Sequence, residues 1–284
     1  MRGYKYRAIN KYSLDILENN NAYFSRYTDF NDPFEFSTPL PNVKNMFKRA
    51  SEQLDSLHDS NIFDTATYKM LKSTCEKIII NGNPKLDNTH NGIRETLEKV
   101  GIYSLSKVND EILMWSHYAD NHKGFCIEFD DLHINTIPLT KSLPVNYKTT
   151  FTDLDDPTAI LNFYTDIFHK FRYLPETAWQ KKRAELAKKM SFEDDQRGGI
   201  SVLTDKYAKW EYEQEFRLID EKSFGIKKFN PSCLKSITFG LRTSTEEKYN
   251  IIEICKSNKE LNIEFFQATK AHNQFKLDIK KLDL

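Results

Sequence analysis

The sequence predicts an α+β fold with a central mixed or split β-sheet and helical insertions. Short segments whose apolar side chains alternate, as in strands, are separated by longer stretches in which apolar side chains recur at helical spacing. The two kinds of segment do not alternate strictly along the chain, which argues against a doubly wound parallel sheet. We expect a single domain over residues 1–284, with helical insertions at residues 43–100 and 151–205.

Composition and charge argue against several classes of protein. The chain has 284 residues, of which 39% are hydrophobic, and its 41 basic and 41 acidic side chains cancel. This balance gives no global attraction to nucleic acid or to membranes. The nine glycines form neither a GxGxxG motif nor a P-loop, so the common glycine-rich nucleotide loops are absent from the sequence.

The sequence indicates a cytoplasmic protein. Its first residues lack the apolar core of a signal peptide, and no run approaches the roughly 20 apolar residues that a membrane span needs. The four cysteines lie far apart and form no CxxC pair, so a disulfide framework or a zinc ribbon is not expected. Reduced thiols in a cytosol fit this pattern.

The first predicted strand, Tyr4–Ala8, carries two cations. Lys5 and Arg7 share one face of this strand, and Tyr6 lies on the other. Ser13 is expected to cap the short helix that follows. A second short strand comes next, and it is followed by a turn at the sequence NDP, because the residue before a proline is excluded from helical geometry.

The middle of the chain predicts a strand, a helix and a second strand. The strand Ile102–Ser106 ends in the sequence SLS, and a helix capped near Asn109 follows it. Gly124 supplies a turn, after which apolar and polar residues alternate in the strand Phe125–Asp130.

Further strands are predicted at Tyr212–Ile219, at Ser236–Leu241 and between residues 263 and 282. One face of the first of these strands carries four charged side chains: Glu211, Glu213, Glu215 and Arg217. Like charges on one face repel unless they are solvated or paired. The strand is therefore either an edge strand with this face in water, or it places a carboxylate in a cleft beside a basic partner that holds an anionic ligand.

The order of three polar strands resembles that of ADP-ribosyltransferases of the arginine-serine-glutamate type. In that family an early strand carries an arginine, a middle strand ends in small hydroxyl residues, and a late strand carries a Glu-x-Glu pair. The matching residues here are Lys5 or Arg7, then Ser104 and Ser106, then Glu213 and Glu215. Leu105 departs from the pattern, because the family has a small polar residue at that position.

The resemblance implies that NAD is the substrate, with no metal required. Arg7 would hold a phosphate bidentately, and Ser104 would contact the nicotinamide ribose. Glu215 would stabilise the positive charge that develops on the ribose as nicotinamide leaves. Glu213 would orient or deprotonate the acceptor, a protein or a nucleic acid. Candidates for stacking on the nicotinamide are Tyr6, Tyr103 and Tyr118, and His117 is a further candidate for cofactor binding.

A second resemblance covers nearly the whole chain. The segments YKYRAIN, AYFSRYTDFNDPFEF, ILMWSHYADNHKGFCIEFD, KWEYEQEFRLI and ITFGLRTS are similar, in this order, to the blocks of a bacterial family known as domain of unknown function 2971. The family brings no established activity. Some of its members occur near phage-defence genes, which implies a toxin-like or host-modifying enzyme.

Two alternatives from other functional classes remain open at the level of sequence. The first is a metal-dependent nuclease or hydrolase that uses His117, Asp120, His122 and Glu128. Histidines at a helix end are also commonly structural, since positive charge is favoured there. The second alternative is a non-enzymatic sensor or interaction module of a defence system.

Overall fold

A mixed eight-stranded sheet organises the larger of two units in the computed structural model of this chain, so the predicted α+β class is confirmed. The structure describes residues 2–63, 65–82, 84–132, 141–158, 161–162, 165–166, 175, 177–178, 181 and 200–283. Unit 1 comprises residues 1–35, 98–149 and 206–284, and unit 2 comprises residues 36–97 and 150–205.

The sheet of unit 1 has the strand order β12, β11, β10, β4, β1, β3, β8, β5. Strands β10 and β11 run parallel, and the other neighbouring pairs run antiparallel. Two further pairs, β2 with β9 and β6 with β7, form separate two-stranded sheets. The strands are β1 (Arg2–Arg7), β2 (Asn21–Phe24), β3 (Gly101–Ser106), β4 (Phe125–Asp130), β5 (Lys141–Pro144), β6 (Asn146–Lys148), β7 (Asp205–Tyr207), β8 (Glu215–Asp220), β9 (Gly225–Lys228), β10 (Leu234–Phe239), β11 (Glu264–Lys270) and β12 (Leu277–Lys281).

Among its described residues, unit 1 contains the α-helices α1 (Lys11–Asn19), α5 (Ile112–Tyr118) and α6 (Thr245–Ser257). The N-cap of α1 is Asn10 rather than the predicted Ser13. Ser13 is the third helical residue, and its hydroxyl accepts a hydrogen bond from the Asn10 backbone, which forms a capping box.

Unit 2 contains α2 (Val43–Asp59) and α3 (Thr65–Asn81), which pack through apolar side chains such as Phe47, Leu54 and Leu71. The helix α4 spans Pro84–Lys99 at the end of the first segment of this unit. Residues 43–97 and 151–205 of the two predicted insertions fall in unit 2, and much of the second insertion lies outside the described residues.

The two faces of the sheet in unit 1 are covered differently, as the alternation in β4 predicts. Phe125, Ile127 and Phe129 join a large apolar cluster on one face. Cys126 joins a smaller cluster on the other face with Trp115 of α5. The helix α5 therefore covers the face of the sheet that carries the polar ends of β3 and β8.

The sheet is split along part of the boundary between β1 and β3. These strands pair at a single position, where Tyr4 lies opposite Ser106. Further along β3, Ile102 instead exchanges two backbone hydrogen bonds with Ser25, at 2.8 and 2.9 Å. This gap lets side chains on both faces of β1 border the same space.

The predicted strand Tyr212–Ile219 is too long, because β8 begins only at Glu215. Glu211 and Glu213 lie in a 3₁₀ helix, Ala208–Glu213, so they do not share a strand face with Glu215. Gln214 separates the two elements with a left-handed backbone, at φ 44°.

The edge-strand interpretation of β8 is wrong. This strand lies between β3 and β5, and all six of its residues are buried. Among the described residues, no helix combines the length and the apolar character that crossing a membrane requires.

Candidate functional site: a charged cavity at the split in the sheet

A cavity of about 340 Å³ opens beside the split between β1 and β3. Nine of the predicted site residues line it: Lys5, Tyr6, Arg7, Ser104, Ser106, His117, Tyr118, Glu213 and Glu215. Lys5 and Arg7 lie on the opposite face of β1 from Tyr6. They reach the same cavity because the sheet is open there.

Two cations from β1 form one wall. Lys5 Nζ donates a hydrogen bond to the Ser104 carbonyl at 2.7 Å and lies 4.6 Å from the centroid of the Tyr103 ring. Burial disfavours the charged amine and Arg7 repels it, so the pKa of Lys5 is held well below its usual value. The Nε atom of Arg7 is buried and has no hydrogen-bond partner within the described part of the chain.

The two serines of β3 differ in their contacts. Ser106 Oγ donates to the Glu213 carbonyl at 2.7 Å and accepts from the Val108 amide at 3.1 Å. Ser104 Oγ is buried beside the cavity with no partner among the residues that the structure describes. An unpaired buried hydroxyl is costly, so Ser104 is a candidate hydrogen-bond partner for a ligand in the cavity.

Lys206 lies at the centre of the acidic wall. Its Nζ atom is 3.1 Å from Glu35 and 2.8 Å from Glu215, and it is also paired with Glu213. Burial alone would lower the pKa of Lys206, but Glu215, Glu35 and Glu213 raise it above the usual value. Lys206 is therefore a fixed cation that holds three carboxylates together.

Arg217 holds Glu215 from its other side. Its Nε atom lies 2.8 Å from Glu215 Oε1, and its side chain is fully buried and also paired with Glu35. Burial alone would raise the pKa of Glu215, but Arg217 and Lys206 together bring it well below the usual value. Glu215 is a permanent anion at physiological pH. Glu215 Oε2 accepts from both Lys206 and Arg217, whereas Oε1 accepts one hydrogen bond, from Arg217 Nε, and has lone-pair capacity left for a ligand hydroxyl.

Glu213 has the opposite electrostatic character. Tyr118 Oη donates to Glu213 Oε1 at 2.6 Å, and Lys206 pairs with the other oxygen. The pKa of Glu213 is raised, because burial outweighs these favourable contacts. A pair of carboxylates whose pKa values are shifted in opposite directions can serve two roles, one as a charge and the other as a proton acceptor.

Aromatic side chains form another part of the cavity wall, among them Tyr6, His117 and Tyr118. His117 has three ring neighbours, Tyr118, Trp210 and Tyr212, at centroid distances of 6.4, 6.2 and 6.4 Å. Tyr6 is buried, contacts Trp115 edge-on at 5.2 Å and donates a hydrogen bond to the Val108 carbonyl. Its main role is thus in the wall of the cavity.

Tyr103 does not line the cavity. It is buried and stacks on Phe24 with centroids 5.4 Å apart, on the other side of β3. The structure therefore does not place it for contact with a ligand in this cavity.

The four residues of the metal alternative are not assembled into a ligand set. His122 contacts Ser116 and stacks on Trp115, and Glu128 pairs with Arg2 at 2.9 Å. Over the described ranges, no group of three or more His, Cys, Asp or Glu side chains could hold a metal ion. His117, the remaining histidine of that set, belongs to the aromatic part of the cavity wall described above.

Neither Lys206 nor Glu35, which both belong to this charged network, is among the site residues that the sequence predicts. Glu35 follows the NDP turn between Phe34 and Phe36, and Lys206 begins the segment KYAKWEYE. A charge between two large apolar residues is the one signal that points to burial at Glu35. Lys206 carries no such signal, because the flanking polar residues fit a solvated turn equally well.

Comparison with known proteins gives one match. The model of the family described as "Protein of unknown function (DUF2971)" matches residues 114–218. This stretch includes Tyr118, Lys206, Glu213 and Glu215 of the cavity. No curated protein and no solved structure matches the chain. Residues 114–218 of this chain are therefore similar to the DUF2971 family.

Proposed function

We propose that this chain is an ADP-ribosyltransferase-like enzyme that cleaves NAD and transfers ADP-ribose to a macromolecular acceptor. One observation carries the proposal: cations from the first strand, a hydroxyl from the middle of the chain and two late carboxylates line one cavity. These groups come from positions about 100 residues apart in sequence, and each has a role in breaking a glycosidic bond next to a diphosphate.

Arg7 supplies the phosphate contact. A guanidinium binds phosphate oxygens with several N–H groups in one plane, and the Nε of Arg7 has no protein partner in the described chain. Lys5 lies beside it with a lowered pKa, so an anion there would also favour the charged form of this amine.

The carboxylates supply the chemistry. When the bond between the ribose C1′ and the nicotinamide nitrogen breaks, its electron pair goes to the cationic ring, and nicotinamide leaves as a neutral molecule. The ribose is left with oxocarbenium character, which the permanent anion Glu215 stabilises. As the acceptor bonds to C1′, its proton passes to Glu213, whose raised pKa suits a general base.

The experiment is incubation of the protein with NAD, followed by chromatographic measurement of free nicotinamide. In the absence of an acceptor, water takes its place, so we expect slow release of nicotinamide and ADP-ribose by the wild type. The variant Glu213→Gln retains the hydrogen bond from Tyr118 but cannot accept the proton, and we expect at least a tenfold lower rate.

Glu215→Gln is the second variant, and its folding must be checked separately. It removes the charge that pairs with Arg217 and Lys206, so the urea unfolding transition is measured alongside the rate. A folded Glu215→Gln protein without nicotinamide release supports the proposal. The proposal is overturned if the wild type releases no nicotinamide, or if both variants release it at the wild-type rate. Binding of NAD without any release would indicate a nucleotide-binding module instead of an enzyme.

A further inference from the structure

A second cavity, of about 540 Å³, adjoins the first one. Arg7 lines both cavities. The other residues of the second cavity on which the argument depends are Asn10, Tyr12, Asp15, Tyr23 and Ile226.

The second cavity lies between α1 and the small sheet of β2 and β9. Tyr23 on β2 lies directly opposite Ile226 on β9, so these side chains share the outward face of that sheet. Tyr12 faces them from the first turn of α1. The exposed fractions are 75% for Tyr12, 47% for Tyr23 and 65% for Ile226, which are high values for large apolar side chains around a hollow.

Polar side chains also line the second cavity. Asp15 accepts hydrogen bonds from Asn19 at 2.6 Å and from Asn21 at 2.9 Å, which fix its carboxylate at the cavity wall. The same carboxylate oxygens can accept further hydrogen bonds, for example from ribose hydroxyls. Asn10 is occupied with the cap of α1 and contributes shape rather than binding.

We propose that the second cavity binds the adenosine half of a dinucleotide, with the diphosphate on Arg7 between the two cavities. The inference rests on the proposed function for the identity of the nicotinamide half. Arg7 lines both cavities, and each cavity has aromatic side chains in its lining. A molecule that spans both cavities is therefore expected to carry an anionic group in its middle and a ring at each end, and NAD has this form. The exposed rings of Tyr12 and Tyr23 provide a stacking surface for a base.

The test compares three ligands by calorimetric titration: NAD, ADP-ribose and nicotinamide mononucleotide. The variant is Tyr23→Ala, and the matched control is Tyr249→Ala, which removes a tyrosine that is 64% exposed on α6. We expect Tyr23→Ala to weaken binding of NAD and ADP-ribose by about tenfold, since loss of base stacking has roughly this size. Binding of nicotinamide mononucleotide should stay the same in both variants.

Tyr23→Phe keeps the ring and the strand propensity, so it should bind NAD like the wild type. If Tyr23→Ala weakens binding of the mononucleotide as much as binding of NAD, or changes neither affinity, the proposed adenosine subsite is wrong, even if the protein still cleaves NAD. If ADP-ribose binding depends on Tyr23 but no nicotinamide is released from NAD, the adenosine subsite is supported and the proposed enzyme activity is wrong. If none of the three ligands binds, both fall.

Discussion

The hydroxyl groups of Ser104 and Ser106 differ in their hydrogen bonds, so we expect one substitution to weaken ligand binding and the other to lower stability. The hydroxyl of Ser106 holds the Glu213 carbonyl and the Val108 amide, whereas that of Ser104 has no partner among the described residues. We expect Ser104→Ala to raise the free energy of unfolding by up to about 1–3 kcal/mol, because it removes a buried hydroxyl without a partner, and to weaken NAD binding. Ser106→Ala should cost about 1–3 kcal/mol. Urea unfolding and calorimetry measure the two effects, and wild-type affinity in Ser104→Ala would contradict the proposed ribose contact.

Lys206 is the residue on which the charge balance of the cavity depends. Replacing it with methionine leaves Glu35, Glu213 and Glu215 close together with Arg217 as their remaining cation in the described network. We expect Lys206→Met to lose about 3–5 kcal/mol of unfolding free energy at neutral pH, as for a broken buried ion pair.

The double variant Lys206→Met/Glu213→Gln also removes the negative charge of Glu213, which Lys206→Met leaves without its cation. It should therefore recover part of the lost unfolding free energy. Equal stabilities of the two variants would show that Glu213 is not coupled to Lys206.

Acid should weaken the same network. The pKa of Glu215 is lowered in the folded state, so its stabilising contribution is fully present above the unfolded value of about 4.5 and is lost as pH falls toward the folded value. In Lys206→Met the pKa of Glu215 is less depressed, so we expect its unfolding free energy to fall less steeply below pH 4.5 than that of wild type. Urea unfolding across this acid range measures both slopes, and parallel slopes would contradict the pairing.

At the scale of elements, the end of β1 is fixed by a close backbone contact. A Cβ atom at Gly124 would lie 2.0 Å from the Arg7 carbonyl oxygen, which cannot move without shifting β1. We expect Gly124→Ala to cost at least about 1–3 kcal/mol, as overpacking does, and to weaken NAD binding through displacement of Arg7.

The matched control is Gly92→Ala, in helix α4. Outside its own helix, no atom of the described residues lies within 4 Å of its added Cβ, so this substitution should stabilise the protein by about 0.5–1 kcal/mol. Equal unfolding midpoints for the two variants would contradict the proposed packing at Gly124.

The elements also show what the sequence predicts well and what it does not. The alternation of Phe125, Ile127 and Phe129 fixes the two faces of β4, because a buried strand face must be apolar. The sequence EYEQEFR alternates in the same way, yet Gln214 is left-handed and ends the pattern. Glutamine carries no signal for that backbone, unlike glycine or asparagine, so the 3₁₀ helix before β8 could not be predicted.

At the scale of the whole molecule, the candidate cavity depends on long-range contacts. Arg7, Ser104 and Glu215 were predicted to meet because their order resembles a known pattern, and the structure places all three on one cavity. The role of Lys206 could not be predicted, because buried charge pairs are set by tertiary contacts that leave no local period in the sequence. The proposed activity is a prediction that rests on this convergence.

Ligand binding should take up a proton at Lys5. Its pKa is depressed in the free protein by burial and by Arg7, and a diphosphate nearby would raise it. Between the pKa values of the free and bound states, NAD binding should consume a proton and weaken as pH rises. Calorimetry in buffers of different ionisation enthalpy measures this uptake. Lys5→Arg should abolish it, since arginine stays charged throughout, and uptake that persists in that variant would assign the proton to another group.

The most direct test of the central claim is a crystal structure of the protein with a non-cleavable NAD analogue. The account predicts density for the nicotinamide riboside in the first cavity, with C1′ facing Glu215, the diphosphate on Arg7 and the adenosine beside Tyr23. Both cavities empty at saturating analogue, or an analogue bound with its ribose away from Glu215, would contradict it.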